Sequence, residues 1–412
     1  MMNINATRLR KSFESYSSIG ETDAGGLHRL ALTDEDKKVR NKFVTDLEAL
    51  GVDIRIDKVG NIFGRREGTD PDADPVLIGS HLDSQPYGGR YDGQLGVLSA
   101  LETLHTLEDE DITTTRPIEI VNWTNEEGSR FQHAMLGSAV FTGETTLEDA
   151  LELTGQAGNR LGDELNRIGY DGQHPTEPFD IHSHVELHIE QGPTLAESDT
   201  SVGVVEGVFG IAWLRVTING ETDHAGPTPM HTRADAMASA ADAVSAINRL
   251  PNRLSADAIA TVGEFGVEPN SINVVPDQAD FTVDVRSYDN DVVHRAVGRI
   301  REEIAAACQR HGTEYDVELV WRIPPTDFDP GTCDVLEAAA TAADVSHHRM
   351  VSGAGHDAKY INDIAPTSMI FVPSVDGKTH NEEEFTEWED CVAGAKVLAE
   401  ATVRLAESLT HD

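Results

Sequence analysis

The feature that most constrains this chain is a short apolar run that ends in chemically active side chains and is followed by a helical pattern. After the run at residues 75–78 come His81, Asp83 and a glycine-rich loop that leads to Asp92. Leucines then recur at helical spacing, as Leu95, Leu98, Leu101 and Leu104. The pattern predicts a buried strand, a loop and a helix. In an open α/β sheet, such a strand end is where the functional site lies.

This stretch alone supports two interpretations. In the first, His81 and Asp92 are metal ligands, and Asp83 is the partner that holds the His81 imidazole in the correct tautomer. In the second, the segment is a polar turn with a surface histidine, because His and Asp are common in loops. The remaining sequence has to decide between them.

Along the chain, strands alternate with helices up to about residue 210, which predicts a mixed, mostly parallel sheet with helices on both faces. From residue 211 the order changes to strand, helix, two strands, helix and strand. That order predicts an α+β sandwich of about 115 residues inserted into the first domain. We therefore predict a discontinuous α/β domain at 1–210 and 328–412, and an inserted domain at 211–327.

The net charge restricts the partners. The chain has 72 acidic and 32 basic residues, a formal net charge of −40. So acidic a surface excludes nucleic acids and anionic membranes as expected partners. It is typical of proteins adapted to high salt, where screening removes the self-repulsion, so we expect the fold to need molar salt.

Cysteine usage and hydropathy indicate the compartment. The three cysteines are scattered and form no C-x-x-C motif, which favours a reducing environment. The N-terminus has no apolar signal region, and no stretch approaches 18 apolar residues. We expect a cytoplasmic protein whose metal ligands are histidines and carboxylates.

Four further polar stretches follow predicted strands, at residues 125–128, 186–192, 353–357 and 379–382. Taken singly, His188 and His380 would be ordinary core or surface histidines, and a pair of glutamates would be a solvated face. Combined with His81 and Asp92 of the first stretch, these groups supply three histidines and two carboxylates at strand ends, where sites form. This set fits a two-metal centre bridged by an aspartate, with the ions about 3.5–4 Å apart. Ligands without cysteine suit zinc, manganese, cobalt or nickel.

From about residue 40 to the C-terminus the sequence resembles the hydantoinase/carbamoylase amidases. This branch of the dinuclear metallopeptidases includes N-carbamoyl-L-amino-acid hydrolases, β-ureidopropionases and allantoate amidohydrolases. The motifs that carry the resemblance are Ser80-His-x-Asp83, Gly89-x-x-Asp-Gly93, Asn125-Glu-Glu-Gly-x-Arg-Phe131, His188-Ile-Glu-Gln-Gly192, His224-Ala-Gly-x-Thr-Pro-Met230, Asn273-Val-Val-Pro276 and Ser352-Gly-Ala-Gly-His-Asp357.

The resemblance implies a role for each metal-site residue. His81 and Glu127 hold separate metals, Asp92 bridges them, and His188 and His380 complete the two coordination spheres. Glu126 is the general base, which takes a proton from the metal-bridging water and passes it to the leaving nitrogen. Adjacent glutamates at a strand end point in different directions, so one can bind metal while the other faces the nucleophile.

The resemblance also makes the inserted domain a lid and a dimerisation domain. His224 is implied to stabilise the tetrahedral oxyanion, and Asn273 and Arg286 to bind the substrate carboxylate. The alternative for Arg286 is a surface salt bridge. Gln191 is implied to contact the ureido or carboxylate end, and Gly355 to offer a backbone N–H. The family's homodimers through the lid leave open whether these groups act across subunits.

One motif departs from the family pattern and several histidines have no assigned role. The family usually has Ser-His-Asn-Pro around the last ligand, whereas this chain has Thr379-His380-Asn381-Glu382. His356 and Asp357 are interpreted as helix caps rather than reacting groups. The histidines left without a role are His133, His182 and His184.

The expected function is metal-dependent hydrolysis of an N-carbamoyl-L-amino acid to the amino acid, carbon dioxide and ammonia, with two divalent ions per subunit. Allantoate amidohydrolase is the nearest alternative, then β-ureidopropionase, and an aminoacylase or exopeptidase is more distant. A non-enzymatic binding module would be expected to lack a ligand or the base, and none is missing. The substrate side chain and the native metal stay open.

Overall fold

The structure, a computed structural model, describes residues 2–155 and 157–407, which fold into two compact units. The first unit runs to Glu206 and resumes at Phe328, and the second is Gly207–Asp327. We predicted boundaries after residues 210 and 327. The roles assigned to the domains stay predictions, and the predicted limits at residue 1 and at 408–412 lie outside the described residues.

The first part of the chain alternates helices and strands. Its elements are α1 Ala6–Ser17, α2 Asp34–Ala49, β1 Asp53–Ile56, β2 Ile62–Arg66, β3 Val76–His81, α3 Gln94–Asp109, β4 Ile118–Trp123, α4 Leu136–Thr142, α5 Leu147–Glu152, α6 Leu161–Ile168, β5 Ser183–Ile189, α7 Thr194–Glu197 and β6 Val202–Val208.

The middle part supplies the second unit, and the last part returns to the first. The middle elements are β7 Gly210–Asn219, β8 Asp223–His224, α8 Ala236–Ile247, β9 Ile259–Glu268, β10 Val274–Val275, β11 Gln278–Ser287, α9 Asn290–His311, β12 Glu314–Ile323 and β13 Thr326–Asp327. The last elements are α10 Pro330–Ala342, β14 His347–Ser352, α11 Ala358–Ile361, β15 Thr367–Val372 and α12 Trp388–Glu407.

The large sheet has a parallel centre, as the alternation of strands and helices predicted. Its strand order is β1-β2-β4-β3-β5-β15-β6-β13, with β14 also paired to β6. The neighbours β4, β3, β5 and β15 run parallel, while the pairs toward both edges are antiparallel. Each residue of β3, β4, β5 and β15 is buried. Burial on both faces is why β3 and β15 contain apolar runs, whereas β5 alternates polar and apolar residues although all of them are buried.

Helices cover both faces of this sheet. Leu77 and Val121 point to one face, where they form a core with Phe141 of α4 and Ile361 of α11. On the other face, Gly96 of α3 and Gly394 of α12 pack so closely against Leu187 that an added Cβ would lie within 3 Å of it. The parallel strands between these layers all end at the same edge, and that edge carries the candidate site.

The second unit is a small sheet covered by helices, as the strand and helix order predicted. Its four strands are antiparallel in the order β12-β7-β11-β9. Leu214, Val216 and Ile218 of β7 alternate inward and form the core with α8 and α9. The short ladder of β8 and β10 is separate from this sheet.

Two further findings bear on the expected compartment. Cys308, Cys333 and Cys391 are all buried and free. Across residues 2–155 and 157–407, no helix combines the length and hydrophobicity needed to cross a membrane.

Candidate metal centre

His81 stands at the carboxyl end of β3 with its side chain fully enclosed. Its Nδ1 lies 3.0 Å from the main-chain oxygen of Asp83. This contact makes Nδ1 the protonated nitrogen and leaves the lone pair of Nε2 facing the site. Nε2 is buried and has no hydrogen-bond partner among the described residues. A buried acceptor left unpaired in this way fits a metal ligand.

The Asp83 side chain has a different partner from the one predicted. Its carboxylate is 3.8 Å from the His81 ring, beyond hydrogen-bond distance, so the main-chain oxygen sets the tautomer. The carboxylate instead accepts hydrogen bonds from the main-chain N–H groups of Glu126 and Glu127, at 3.2 and 3.3 Å. Asp83 therefore joins the β3 loop to the pair of glutamates that follows β4.

Asp92 lies between two groups of candidate ligands. Its Oδ1 is 3.0 Å from Nε2 of His188 and 3.4 Å from Nε2 of His81. Its Oδ2 is 3.4 Å from Nε2 of His380. Three sets of potential ligand atoms converge among the described residues, and two of them, His81–Asp92–His188 and Asp92–Glu127–His380, share Asp92. The third is Glu186–His188–His356.

Gly93 allows the first of these groups to assemble. Its φ of 62° lies in the left-handed region, and a Cβ there would come within 2.4 Å of the His81 imidazole. Its main-chain N–H donates to Nε2 of His188 at 3.1 Å, while Nδ1 of His188 is fixed by the main-chain oxygen of Ile189 at 2.9 Å. Both imidazoles of this group thus present Nε2 to Asp92.

The second group is held by side chains from distant loops. Glu127 Oε2 is 3.7 Å from Nε2 of His380. Gln85 binds the Glu127 carboxylate through its main-chain N–H at 3.1 Å and its side-chain amide at 2.6 Å. His380 has a φ of 54° and is about half exposed, at 48%, which makes it the most accessible of the five candidate ligands.

Glu126 belongs to neither ligand group but lies beside both. Its Oε2 is 3.6 Å from Nε2 of His81, and the residue is buried. Burial, together with the neighbouring carboxylates Asp357, Glu127 and Asp92, raises the pKa of Glu126 well above its usual range. A carboxylate with a raised pKa, placed beside a ligand cluster, has the properties of a general base.

The electrostatics of the cluster fit divalent cations. Burial raises the pKa of Glu127 to about 8. Burial would also raise the pKa of Asp92, but the imidazoles of His188, His380 and His81 hold it well below its usual range. Several carboxylates are enclosed here together with the unpaired Nε2 of His81, and bound cations would compensate their negative charge.

Sequence reasoning missed Gln85 and Glu384. Glu384 is buried, and its Oε1 accepts from the main-chain N–H groups of Tyr91 and Asp92, at 3.0 and 3.2 Å. It therefore fixes the loop that carries Asp92, and burial raises its pKa to about 7. In the sequence Glu384 is one of three consecutive glutamates, so no local signal separates it from the two before it.

Gln191 and the segment at residues 353–357 lie near the cluster in arrangements that the sequence did not predict. The Gln191 amide donates to Asp92 Oδ2 at 2.8 Å. The His356 ring packs against His188, with ring centroids 4.5 Å apart. Asp357 is the N-cap residue of α11, as predicted, but its side chain makes no capping hydrogen bond and accepts one from Ser138 instead. An added Cβ on Gly355 would contact the Met135 side chain.

The unassigned histidines have structural surroundings. His133 binds the hydroxyl of Thr145 and the main-chain oxygen of Ala134. His182 donates its main-chain N–H to Pro75, at the start of β3. His184 lies in the middle of the sheet, fully buried, and neither ring nitrogen has a hydrogen-bond partner among the described residues.

In the second unit, the predicted substrate residues fall into two places. His224 on β8 and Asn273 beside β10 are neighbours, because the Asn273 carbonyl accepts from the N–H of Ala225 at 2.9 Å. This ladder extends from the end of β11 at Gln278. Arg286 lies at the other end of β11, eight residues further on, or roughly 26 Å at a rise of about 3.3 Å per residue. It forms an ion pair with Asp284 at 2.8 Å.

Comparison with known proteins identifies the class. The model of peptidase family M20/M25/M40 matches residues 77–404. The match covers most of the chain, and the chain belongs to that family.

Its relatives place it more narrowly. It is 43% identical over 404 residues to the N-carbamoyl-L-amino-acid amidohydrolase of Rhizobium meliloti, covering 98% of this chain and 97% of the relative. It is 33% identical to the allantoate amidohydrolase of Escherichia coli, with 97% and 99% covered. The crystal structure of a hydantoinase/carbamoylase family amidase from Burkholderia multivorans superposes with a TM-score of 0.95 at 43% identity, over 99% of each chain. The resemblance to the hydantoinase/carbamoylase amidases is thereby confirmed.

Proposed function

We propose that this protein hydrolyses an N-carbamoyl-L-amino acid. Water adds to the ureido carbon, the bond to the amino-acid nitrogen breaks, and the carbamic acid released decomposes to carbon dioxide and ammonia. The similarity to the Rhizobium meliloti amidohydrolase over nearly the whole of both chains supports this substrate class. The similarity to the Escherichia coli allantoate amidohydrolase, at lower identity, makes allantoate the second candidate.

The observation that carries the proposal is the position of Asp92. Because its two oxygens face different histidines, we propose that it bridges two divalent ions, one held with His81 and His188 and the other with Glu127 and His380. When bound, such a pair activates a water molecule and polarises the carbonyl under attack. Ligands without sulfur favour zinc, manganese, cobalt or nickel.

In this proposal Glu126 moves the proton. It takes a proton from the attacking water and delivers it to the leaving nitrogen. Its position beside both ligand groups and its raised pKa suit both steps, since the carboxyl must be able to hold the proton between them. The hydrogen bond from its main-chain N–H to Asp83 fixes the segment that carries it.

Three residues of the second unit are proposed to bind the substrate. His224 donates a hydrogen bond to the oxyanion, and Asn273 and Arg286 bind the carboxylate, for which a guanidinium offers two parallel hydrogen bonds. Arg286 is paired with the Asp284 carboxylate, and we propose that the substrate carboxylate replaces that partner. Gln191 and the main-chain N–H of Gly355 remain proposed substrate contacts, with Gln191 approaching from the Asp92 side.

The distance along β11 supports a homodimer. An N-carbamoyl amino acid is about two residues long, roughly 7 Å, and cannot reach from the β8 ladder to Arg286 of the same chain. We therefore propose that Arg286 and the pair His224–Asn273 at one site come from different subunits, joined through the inserted domain.

Complementation tests this arrangement. His224→Ala and Arg286→Ala proteins, each inactive, are mixed, unfolded and refolded together. If one residue acts across the dimer, half of the dimers are mixed and each has one intact site, so about a quarter of wild-type activity returns. No recovery, with mixed dimers present by native mass spectrometry, would refute the shared site.

A substrate panel tests the reaction. Ammonia release at high salt is measured from several N-carbamoyl-L-amino acids, N-carbamoyl-β-alanine and allantoate, and amino-acid release is measured from a dipeptide, each with and without a chelator. We expect N-carbamoyl-L-amino acids to be the best substrates and the chelator to abolish turnover. Preference for allantoate would select the second candidate, and full activity without metal would reject the mechanism.

The proposed setting follows from charge and cysteine chemistry. Free, buried cysteines support a reducing, cytoplasmic location. The charge of −40 supports a small-molecule substrate over nucleic acid or anionic membrane, and supports a halophilic origin.

A further inference from the structure

A hairpin near the N-terminus, outside the segment that the family model matches, contacts two loops that adjoin the candidate centre. The hairpin is residues 21–27, closed by a bridge between Glu21 and Leu27. Its turn is fixed by Thr22, whose main-chain N–H donates to the Gly26 oxygen at 3.0 Å and whose hydroxyl accepts from the Gly26 N–H at 3.1 Å. The family match begins only at residue 77.

On one side the hairpin pairs with residues 85–88, the loop whose Gln85 binds the Glu127 carboxylate. Leu27 and Gly88 exchange two main-chain hydrogen bonds, each 2.9 Å long. Gly88 is bonded to the Gln85 oxygen at 3.3 Å, and Gln85 is the residue that binds the Glu127 carboxylate. The pairing therefore restrains the segment on which the position of Glu127 depends.

On the other side the hairpin contacts the segment that holds His380. The Thr22 hydroxyl donates to the Glu382 carboxylate, 360 residues away along the chain. The contact is close throughout, because a Cβ on Gly26 would lie 2.4 Å from the Gly88 oxygen and 2.7 Å from Cγ of Glu382. His380 is the half-exposed ligand in a left-handed turn, so its neighbours have to hold it in place.

The other ligand group depends on closer supports. His81 and His188 end buried strands, and each has its Nδ1 fixed by a main-chain oxygen within two residues. Arg29, after the hairpin, donates to the Leu82 oxygen at 2.7 Å and so reaches the His81 side. A test of the hairpin thus needs point substitutions at its tip rather than truncation.

We propose that the hairpin is a positioning element for the cation held by Asp92, Glu127 and His380, and that Thr22 is the positioning residue, acting through Glu382. The inference rests on the proposed function, since it takes both ligand groups to hold a cation. Loss of a side chain that orients a metal ligand lowers metal affinity by roughly 10–100-fold. Substitutions at Thr22 should therefore weaken the binding of one cation and leave the binding of the other unchanged.

The test measures bound metal and does not depend on turnover. Wild type and variants are loaded with zinc at high salt, dialysed against a weak chelator, and assayed for zinc per chain. Wild type should keep about two ions, whereas Thr22→Val and Glu382→Ala should keep about one. Thr22→Ser, which retains the hydroxyl, should keep both. Gly26→Ala, which forces the hairpin away from both contacts, should behave like Thr22→Val.

Glu383→Ala is the matched control. Glu383 is the next carboxylate along the chain, is exposed and pairs with Lys378, so both ions should remain. Circular dichroism of the metal-free proteins checks that each variant is folded. Two retained ions in Thr22→Val and Glu382→Ala, or parallel loss of both, would overturn the inference while leaving the proposed function intact. Fewer than two ions in wild type would refute the two-cation centre itself.

Discussion

A buried histidine in the middle of the large sheet makes the stability of this protein sensitive to acid. His184 lies on β5, fully enclosed, and neither ring nitrogen has a hydrogen-bond partner among the described residues. Burial lowers its pKa to about 3, from 6.5 in an exposed histidine. The folded protein therefore holds His184 neutral, whereas the unfolded chain binds a proton there below pH 6.5.

The sign and size of the effect follow from these two pKa values. Because the folded-state pKa is the lower one, the stability contribution is complete above pH 6.5 and is lost as the pH falls toward 3. Between pH 7 and pH 5 the unfolded state gains about 2 kcal/mol from protonation of this one side chain. His184→Leu removes the titration and two unpaired polar atoms, so the variant should gain about 2 kcal/mol over wild type across that interval.

The assay is urea unfolding of wild type and His184→Leu at pH 7, 6 and 5, in high salt, followed by circular dichroism. The difference in midpoint between the two proteins isolates His184 from the other titrating groups. His348→Leu is the control for loss of a histidine from this sheet, because that histidine is also on a strand of the large sheet but is only half-buried. A wild-type minus His184→Leu difference that stays constant from pH 7 to pH 5 would refute the reasoning.

Three further outcomes follow from the structure. Glu126→Gln should keep its metal, since Glu126 belongs to neither ligand group, and should lose about 10²–10⁴-fold in kcat, measured by ammonia release; near-wild-type turnover would exclude it as the base. Gly93→Ala should lose zinc because its Cβ would meet the His81 ring, while Gly143→Ala, with φ 83° and open space, carries only the backbone strain and should keep zinc. The unfolding temperature should rise steeply from 0.1 M to 2 M KCl, as the screening length falls from about 10 Å to below about 3 Å; equal stability at both concentrations would contradict the salt requirement.

The sequence predicted the sheet, and the edge at which the candidate ligands lie, because both depend on local patterns. An apolar run buried on both faces reads as a central strand, and a polar residue directly after it must lie at the carboxyl edge of the sheet. These local patterns alone place His81, Glu127 and His188 at one edge. Asp92 lies at the same edge because it directly precedes α3, which packs back against the sheet from that edge.

The supports of these ligands could not be predicted in the same way. Gln85 with Glu127, and Glu384 with the Asp92 loop, are contacts between segments 42 and 292 residues apart. No periodicity links such pairs, since each depends on how loops fold over the sheet edge. Asp83 shows the same limit at short range. The sequence indicated Asp83 as the partner of His81, but it could not show that the main-chain oxygen, rather than the carboxylate, contacts the imidazole.

The two ligand groups differ in how their geometry is secured, and this has a consequence for the reaction. His81 and His188 are fixed by hydrogen bonds to the main chain beside their strands, so their positions change only if the sheet changes. Glu127 and His380 depend on side chains from loops and on the N-terminal hairpin. The second group is therefore the more adaptable of the two proposed cation sites. Because His380 is also the most exposed of the candidate ligands, we propose that substrate enters from this side and that its carbonyl is polarised there.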